Sequence, residues 1–276
     1  MRNLVPYSGD TFTLYEEAVK KMVNCESKLL LTDSKRLIKG YYDAYDLHFE
    51  HNTLTTLPAK TVNGKLHKEL YNLYGSGKAV VRKIHSHLVR VNPTTVIGIC
   101  QYCGINTDDT MDHILPRSAY AEYSINAKNL IPCCSDCNRR KNSADVLNLY
   151  TDKLPNVEYL FMDVIANSDT IDFRFRLDNS RGEVDPVLFE KISKHFSRLD
   201  LCERMRRKAQ SALKGFVSDI STLYNCFGKE IVMKFIMESL PELRSAYGFN
   251  YWEVVFRKGL VNSTVFWEYY ETDKLH

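Results

Sequence analysis

Two cysteine pairs, Cys100-Gln-Tyr-Cys103 and Cys134-Ser-Asp-Cys137, stand 30 residues apart. This spacing constrains the fold more than any other feature. A two-residue gap lets both thiolates of a pair reach one ion, and two such knuckles supply the four soft ligands of a tetrahedral zinc, each at about 2.3 Å. Four thiolates leave no position for water, so zinc in this setting is structural. Five of the eight cysteines fall between 100 and 137. That clustering suits metal binding in a reducing compartment better than a secreted disulfide framework, and better than four unrelated buried thiols. Cys133 offers a second spacing to Cys137, but the gap of the first knuckle selects Cys134. Cys25, Cys202 and Cys226 lie in helical patterns and read as packing residues.

The rest of the chain is organised around this segment. At 44% hydrophobic and 26% charged, its 276 residues have a globular composition. Residues 1–92 read as a helical region. Leu14, Tyr15, Ala18, Val19 and Met22 form one apolar stripe, and Leu37, Ile38, Tyr41, Tyr42, Tyr45 and Phe49 a second. Val80, Val81, Ile84 and Leu88 form a third, stopped by Asn92-Pro93. TTVIGIC, 94–100, switches to β-branched residues and reads as a strand that opens a compact module over 93–145. Residues 146–276 read as mostly helical, after a hairpin turning at Asn167-Ser168-Asp169. Asp185-Pro186 starts one helix, and from Leu201 apolar positions keep helical spacing to 224, a rod of about 36 Å at 1.5 Å per residue. The expected class is mainly α with a small α+β insert. No apolar run nears the roughly 20 residues that span a bilayer, and MRNLVPYSGD has no signal-like core. A soluble, cytoplasmic protein without membrane contact is expected.

Between the knuckles lies Met111-Asp112-His113-Ile-Leu-Pro. GINTDDTMDHIL, 104–115, reads as a hairpin with Asn-Thr-Asp-Asp as its turn. The second knuckle runs into NRRKNSADVL, which reads as a helix. With a start near Cys134, residues 134, 137, 138 and 141 share one face, so Asn138 sits beside the zinc ligands. A zinc joining the two would draw Asp112-His113 towards Asn138. Oxygen ligands from Asp112 and Asn138 suit a hard cation such as Mg²⁺ or Mn²⁺. A neutral His113 can take a proton from an attacking water. Those parts together suit hydrolysis of a phosphodiester.

The pattern CxxC…DHILP…NLIPxCxxCNxxK over 98–145 resembles the HNH endonucleases with a ββα-metal core. The resemblance implies His113 as general base, Asp112 as a metal ligand, and Asn129 as the central Asn that braces the histidine loop. It places Asn138 at the final motif position and Lys141 at the basic residue that commonly follows. The Gly-rich stretch frequent after the proline is replaced by SAYAEYSINAK. Adjacent strand residues also point to opposite faces, so Asp112 and His113 can share a site only where the strand bends or ends.

The net charge of +3 is too mild to identify a partner, but its distribution is uneven. Residues 76–107 carry Lys78, Arg82, Lys83 and Arg90 and no acid, and residues 191–214 carry eight basic against two acidic side chains. Beside such a core these suit phosphate contacts, as do Arg117, Arg139, Arg140 and Lys141. Nucleic acid, double-stranded DNA foremost, is the expected substrate. A compact core inside helical flanks is similar to restriction and anti-phage nucleases, some of which work with an ATPase subunit, as in Septu-type and retron systems. Two other readings stay open: a zinc-stabilised nucleic-acid-binding module without catalysis, and an RNA-cleaving variant. A binding module has no use for a base beside a hard-metal site. His48 and His51, at i and i+3, read as a polar helix face rather than a second metal pair.

Overall fold

The computed structural model describes residues 1–92 and 98–275. Among the described residues the chain is mainly helical, with two small antiparallel two-stranded sheets. It forms two compact units: Asn3–Gln101 with Thr107–Lys153, and Met1–Arg2 with Tyr102–Asn106 and Leu154–His276.

The first unit begins with helices α1 (Thr11–Lys20), α2 (Cys25–Asp33), α3 (Lys35–Glu50), α4 (Gly64–Ser76) and α5 (Lys78–Val91). Short polar caps start the first two: Asp10 accepts from the Phe12 N–H and Asn24 from the Ser27 N–H. The buried seams are narrower than the sequence stripes. Leu14, Tyr15, Ala18 and Val19 are inside, as are Ile38, Tyr42, Tyr45 and Phe49, whereas Leu37 is exposed. Aromatic contacts bind this layer together, among them Tyr45 on Tyr123 with ring centroids 4.8 Å apart. Asn92 closes α5, its amide donating to the Leu88 carbonyl at 2.7 Å.

Strand β1 (Thr110–His113) pairs antiparallel with β2 (Leu130–Cys133), His113 opposite Leu130 and Thr110 opposite Cys133. This corrects the expected hairpin: residues 104–106 form bends and 107–109 an irregular stretch, and the partner of β1 arrives after a long connection with two 3₁₀ turns, Ala121–Tyr123 and Ala127–Asn129. The second of these takes Asn126 as its cap. The expected strand at 94–100 falls largely outside the described residues, and Gly98 and Ile99 lie in a turn and a bend. Helix α6 (Ser135–Lys141) follows β2 directly, with Cys134 as its N-cap. At seven residues it is too short to persist alone in water, so what holds it is tertiary.

In the second unit β3 (Leu160–Asn167) and β4 (Thr170–Leu177) form the expected hairpin, turning at Ser168-Asp169. Helix α7 (Pro186–Leu199) starts where Asp185-Pro186 indicates, with the Asp185 carboxylate accepting from the Leu188 N–H. Helix α8 (Leu201–Tyr247) runs well past 224 but kinks at Gly228, whose φ of 79° only glycine adopts freely. Helices α9 (Trp252–Val261) and α10 (Thr264–Glu271) complete the unit. Phe173, Phe216, Phe256 and Phe266 meet edge to face at its centre. No helix among the described residues is long and apolar enough to cross a membrane.

Candidate active site

The four sulfurs of Cys100, Cys103, Cys134 and Cys137 lie within 4.8 Å of one another, all on buried residues. Tetrahedral zinc–thiolate bonds of about 2.3 Å place sulfurs about 3.8 Å apart, so this donor set fits a structural zinc. Cys133 is buried outside the cluster, and burial pushes its thiol pKa well up. Backbone amides support both knuckles: Ile105 N–H donates to Cys103 Sγ and Cys137 N–H to Cys134 Sγ, each at 3.4 Å. Gly104 turns the chain after Cys103 with a φ of 66°. Asp109 ties the start of α6 to the segment before β1, accepting from the Ser135 N–H at 2.6 Å and hydroxyl at 3.0 Å.

His113 is the last residue of β1, and its half-buried ring Nε2 lies 2.9 Å from the Ser124 carbonyl. A carbonyl only accepts, so the neutral ring carries its proton on Nε2 and leaves Nδ1 as the basic nitrogen. Burial lowers the pKa to about 4, helped by the charges of Arg117 and Lys141, against the opposing bond to Ser124. The imidazole is therefore neutral at neutral pH. Tyr74, from α4, packs against it with centroids 4.8 Å apart, and its hydroxyl donates to the Met111 carbonyl at 3.4 Å.

Asp112 is 3% exposed and pairs with Lys141, itself 2% exposed, at 3.1 Å. The same ammonium donates to the His113 carbonyl at 2.8 Å. Lys141 therefore braces the strand end from inside the unit, which replaces the expected surface contact with phosphate. Asn138, one turn earlier on α6, donates from Nδ2 to the Met111 carbonyl at 3.4 Å. Asp112 and His113 do turn to different partners, as strand alternation requires, but β1 ends there and Lys141 bridges the pair.

Asn129 is fully buried and uses its whole amide. Oδ1 accepts from the Leu115 N–H at 2.8 Å and the Tyr45 hydroxyl at 3.2 Å, and Nδ2 donates to the Leu115 and Tyr123 carbonyls at 3.2 Å. Its own carbonyl accepts from the Ile114 N–H at 2.9 Å. The two residues after His113 are thus held on both sides.

Of the basic residues, Arg117 lies over Tyr71 at 4.0 Å and Tyr74 at 5.0 Å and donates to the Tyr71 carbonyl at 3.2 Å. Arg139 and Arg140 both pair with Asp136, at 2.7 and 3.2 Å. His48 and His51 serve local bonds to Thr53 and Leu47. The sequence reading missed Tyr71 and Tyr74, although their i, i+3 spacing on α4 marks one aromatic face. It also missed Tyr45 and Ser124, which no local signal connects to residues 113 and 129.

Residues 100–144 match the family model for HNH endonuclease. This segment is therefore similar to an HNH endonuclease domain, the catalytic core of a class of phosphodiester hydrolases, and it contains a four-cysteine cluster that fits zinc. Protein ea31 of Escherichia phage lambda is 25% identical over 192 residues, 60% of this chain and 62% of that protein. The match therefore spans less than two thirds of the relative's length. No solved structure matches the chain.

Proposed function

We propose that the protein is a divalent-metal-dependent endonuclease that cuts double-stranded DNA in the cytoplasm, with His113 as the general base. The observation that carries this reading is the bond from His113 Nε2 to the Ser124 carbonyl at 2.9 Å, which frees Nδ1 to accept a proton. Tyr74 confines the ring, and the Leu115–Asn129 bonds hold the chain that follows it. Asp112 and Asn138 would hold Mg²⁺ or Mn²⁺. A carboxylate and an amide oxygen are hard donors, and the Asn138 Nδ2 bond to Met111 turns that amide's oxygen away from β1. Such an ion, when bound, stabilises charge on the phosphate and the departing oxygen. Lys141 keeps the Asp112 carboxylate in place while His113 takes the proton of the attacking water. Arg117, preset by its two tyrosines, and Arg139 and Arg140 on α6 contact backbone phosphates.

Layout alone suggests restriction or phage defence as the setting, with an ATPase subunit as a partner. The test of the chemistry is nicking of supercoiled plasmid with Mg²⁺ or Mn²⁺, wild type against His113→Ala, with an RNA duplex in parallel. Wild-type plasmid cleavage reduced at least about 100-fold in the variant is expected. Equal cleavage by both proteins would remove His113 from the mechanism. Cleavage of RNA alone would replace DNA as the substrate.

A further inference from the structure

Helix α4 carries a row of aromatic rings that leads to His113 and that proton transfer alone does not need. His67, Tyr71 and Tyr74 stand at i, i+4 and i+7, so they share one face of the helix. Leu70 and Leu73 fill the buried seam beside them. His67 and Tyr71 lie nearly parallel, 21° apart with centroids at 6.5 Å, and Tyr74 meets His113 at 4.8 Å. Cβ atoms three residues apart on a helix are separated by about 5–6 Å. Tyr71 therefore stands on the order of 10 Å from His113, within a few nucleotides of the reacting phosphate.

Tyr71 is the most exposed Phe, Tyr or Trp among the described residues of this unit, at 37%. Its ring is nevertheless held. The Arg117 guanidinium lies over it at 4.0 Å, and Arg117 Nη1 donates to the Tyr71 carbonyl at 3.2 Å. A fixed aromatic ring that faces solvent with a cation against it suits the stacking of a nucleobase. The guanidinium keeps further N–H donors in its plane for a phosphate. One nucleotide can thus set its phosphate on Arg117 and its base on Tyr71. Bases inside a duplex show their edges to a protein and their faces only to one another. A surface ring therefore stacks only on a base that has left the duplex stack. Drawing out a paired base offsets most of the gain, whereas a bulged base is already free. Every base has a π-face, so such a contact reads structure and not sequence.

We infer that Tyr71, with Arg117 against it, is a stacking platform for an unpaired nucleobase beside the phosphate attacked at His113. The protein then prefers DNA that holds a bulged or unpaired nucleotide over perfect duplex. The inference rests on the nuclease reading above and narrows its substrate.

Fluorescence anisotropy tests the platform apart from cleavage. The zinc-loaded full chain carrying His113→Ala is titrated against a labelled DNA duplex and against the same duplex with one central bulged nucleotide. The bulged duplex binds more tightly by about 5- to 100-fold, the range of one base–aromatic stack. Adding Tyr71→Ala, at an exposed position, keeps the helical circular-dichroism spectrum and brings that ratio close to one. Adding Tyr71→Phe retains the ring and preserves the ratio. A merely displaced Arg117 would lower both affinities together and leave the ratio as it was, because phosphate contacts do not depend on pairing. Equal affinity for the two duplexes with Tyr71 in place overturns the proposal. So does a ratio that survives Tyr71→Ala, which would place the selection elsewhere. Selective binding together with equal plasmid cleavage by wild type and His113→Ala would sink the role of His113 while supporting the platform.

Discussion

Replacing Asn129 by alanine should cost the HNH-bearing unit much of its stability. Asn129 is inaccessible to solvent and makes four side-chain hydrogen bonds, to the Leu115 N–H and carbonyl, the Tyr45 hydroxyl and the Tyr123 carbonyl. At a net value of about 1 kcal/mol for each, their loss amounts to about 4 kcal/mol, and stranded buried partners keep the figure from being smaller. Against a total of about 5–15 kcal/mol for a domain, that change is large. Asn129→Asp separates donor from acceptor contributions. It retains the two accepting contacts but turns a carboxylate oxygen onto two carbonyls, so it should destabilise comparably despite its matched size. Tyr45→Phe removes only the hydroxyl that reaches Asn129 and the Lys128 carbonyl, both at 3.2 Å, and should cost about 1 kcal/mol. Combining Tyr45→Phe with Asn129→Ala should then cost less than the sum, by roughly the one shared bond. Urea unfolding of zinc-loaded protein, followed by far-UV circular dichroism, measures all four variants. Plasmid nicking below the transition reports whether the chain after His113 is still held. An Asn129→Ala protein within about 1 kcal/mol of wild type and equally active would refute the bracing role.

Other consequences follow from the same contacts. Lys141→Met leaves the Asp112 carboxylate buried without its ammonium and should destabilise by about 3–5 kcal/mol in the same urea assay, more than removal of an exposed ion pair. Cys100→Ser and Cys134→Ser should lose the single zinc, measured by elemental analysis, with protease sensitivity appearing around α6, whereas Cys133→Ser should retain it. His195 is fully buried, with Nε2 2.8 Å from the Tyr102 carbonyl, and burial lowers its pKa to about 4. Below the unfolded value of about 6.5 the unfolded chain binds the proton first, so this contribution is whole above pH 6.5 and falls away as pH drops towards 4. It amounts to about 3 kcal/mol, and the difference in urea midpoint between wild type and His195→Phe should shrink over that interval. An unchanged difference would show that His195 does not titrate in this way.

Several features were legible in the chain because the physics behind them is local. Ligand spacing depends on a few residues, so CxxC twice is enough to indicate four thiolates on one metal, and the choice of Cys134 over Cys133 agrees with the cluster. Capping and turn chemistry placed Asp185-Pro186 at the head of α7 and the turn of the β3–β4 hairpin at Ser168-Asp169. The Asn-Thr-Asp-Asp cluster carries a turn signal of the same kind, yet β1 pairs with β2. A turn-forming sequence permits a reversal but does not choose the strand's partner.

What the sequence by itself determined is the inventory at the HNH site and its order: a zinc knuckle, Asp112 and His113 at a strand end, Asn129, a second knuckle, and Asn138 and Lys141 along one helix. Tertiary structure decided what each of them faces. Lys141, which directly follows Arg139 and Arg140, is drawn inside because the Asp112 carboxylate and the His113 carbonyl need its charge there. Tyr74 reaches His113 from α4, and Tyr45 reaches Asn129 across 84 residues of chain. Contacts at such separations arise from packing of whole helices, which closes long loops for the sake of buried apolar area. No window of sequence around 113 or 129 records that outcome.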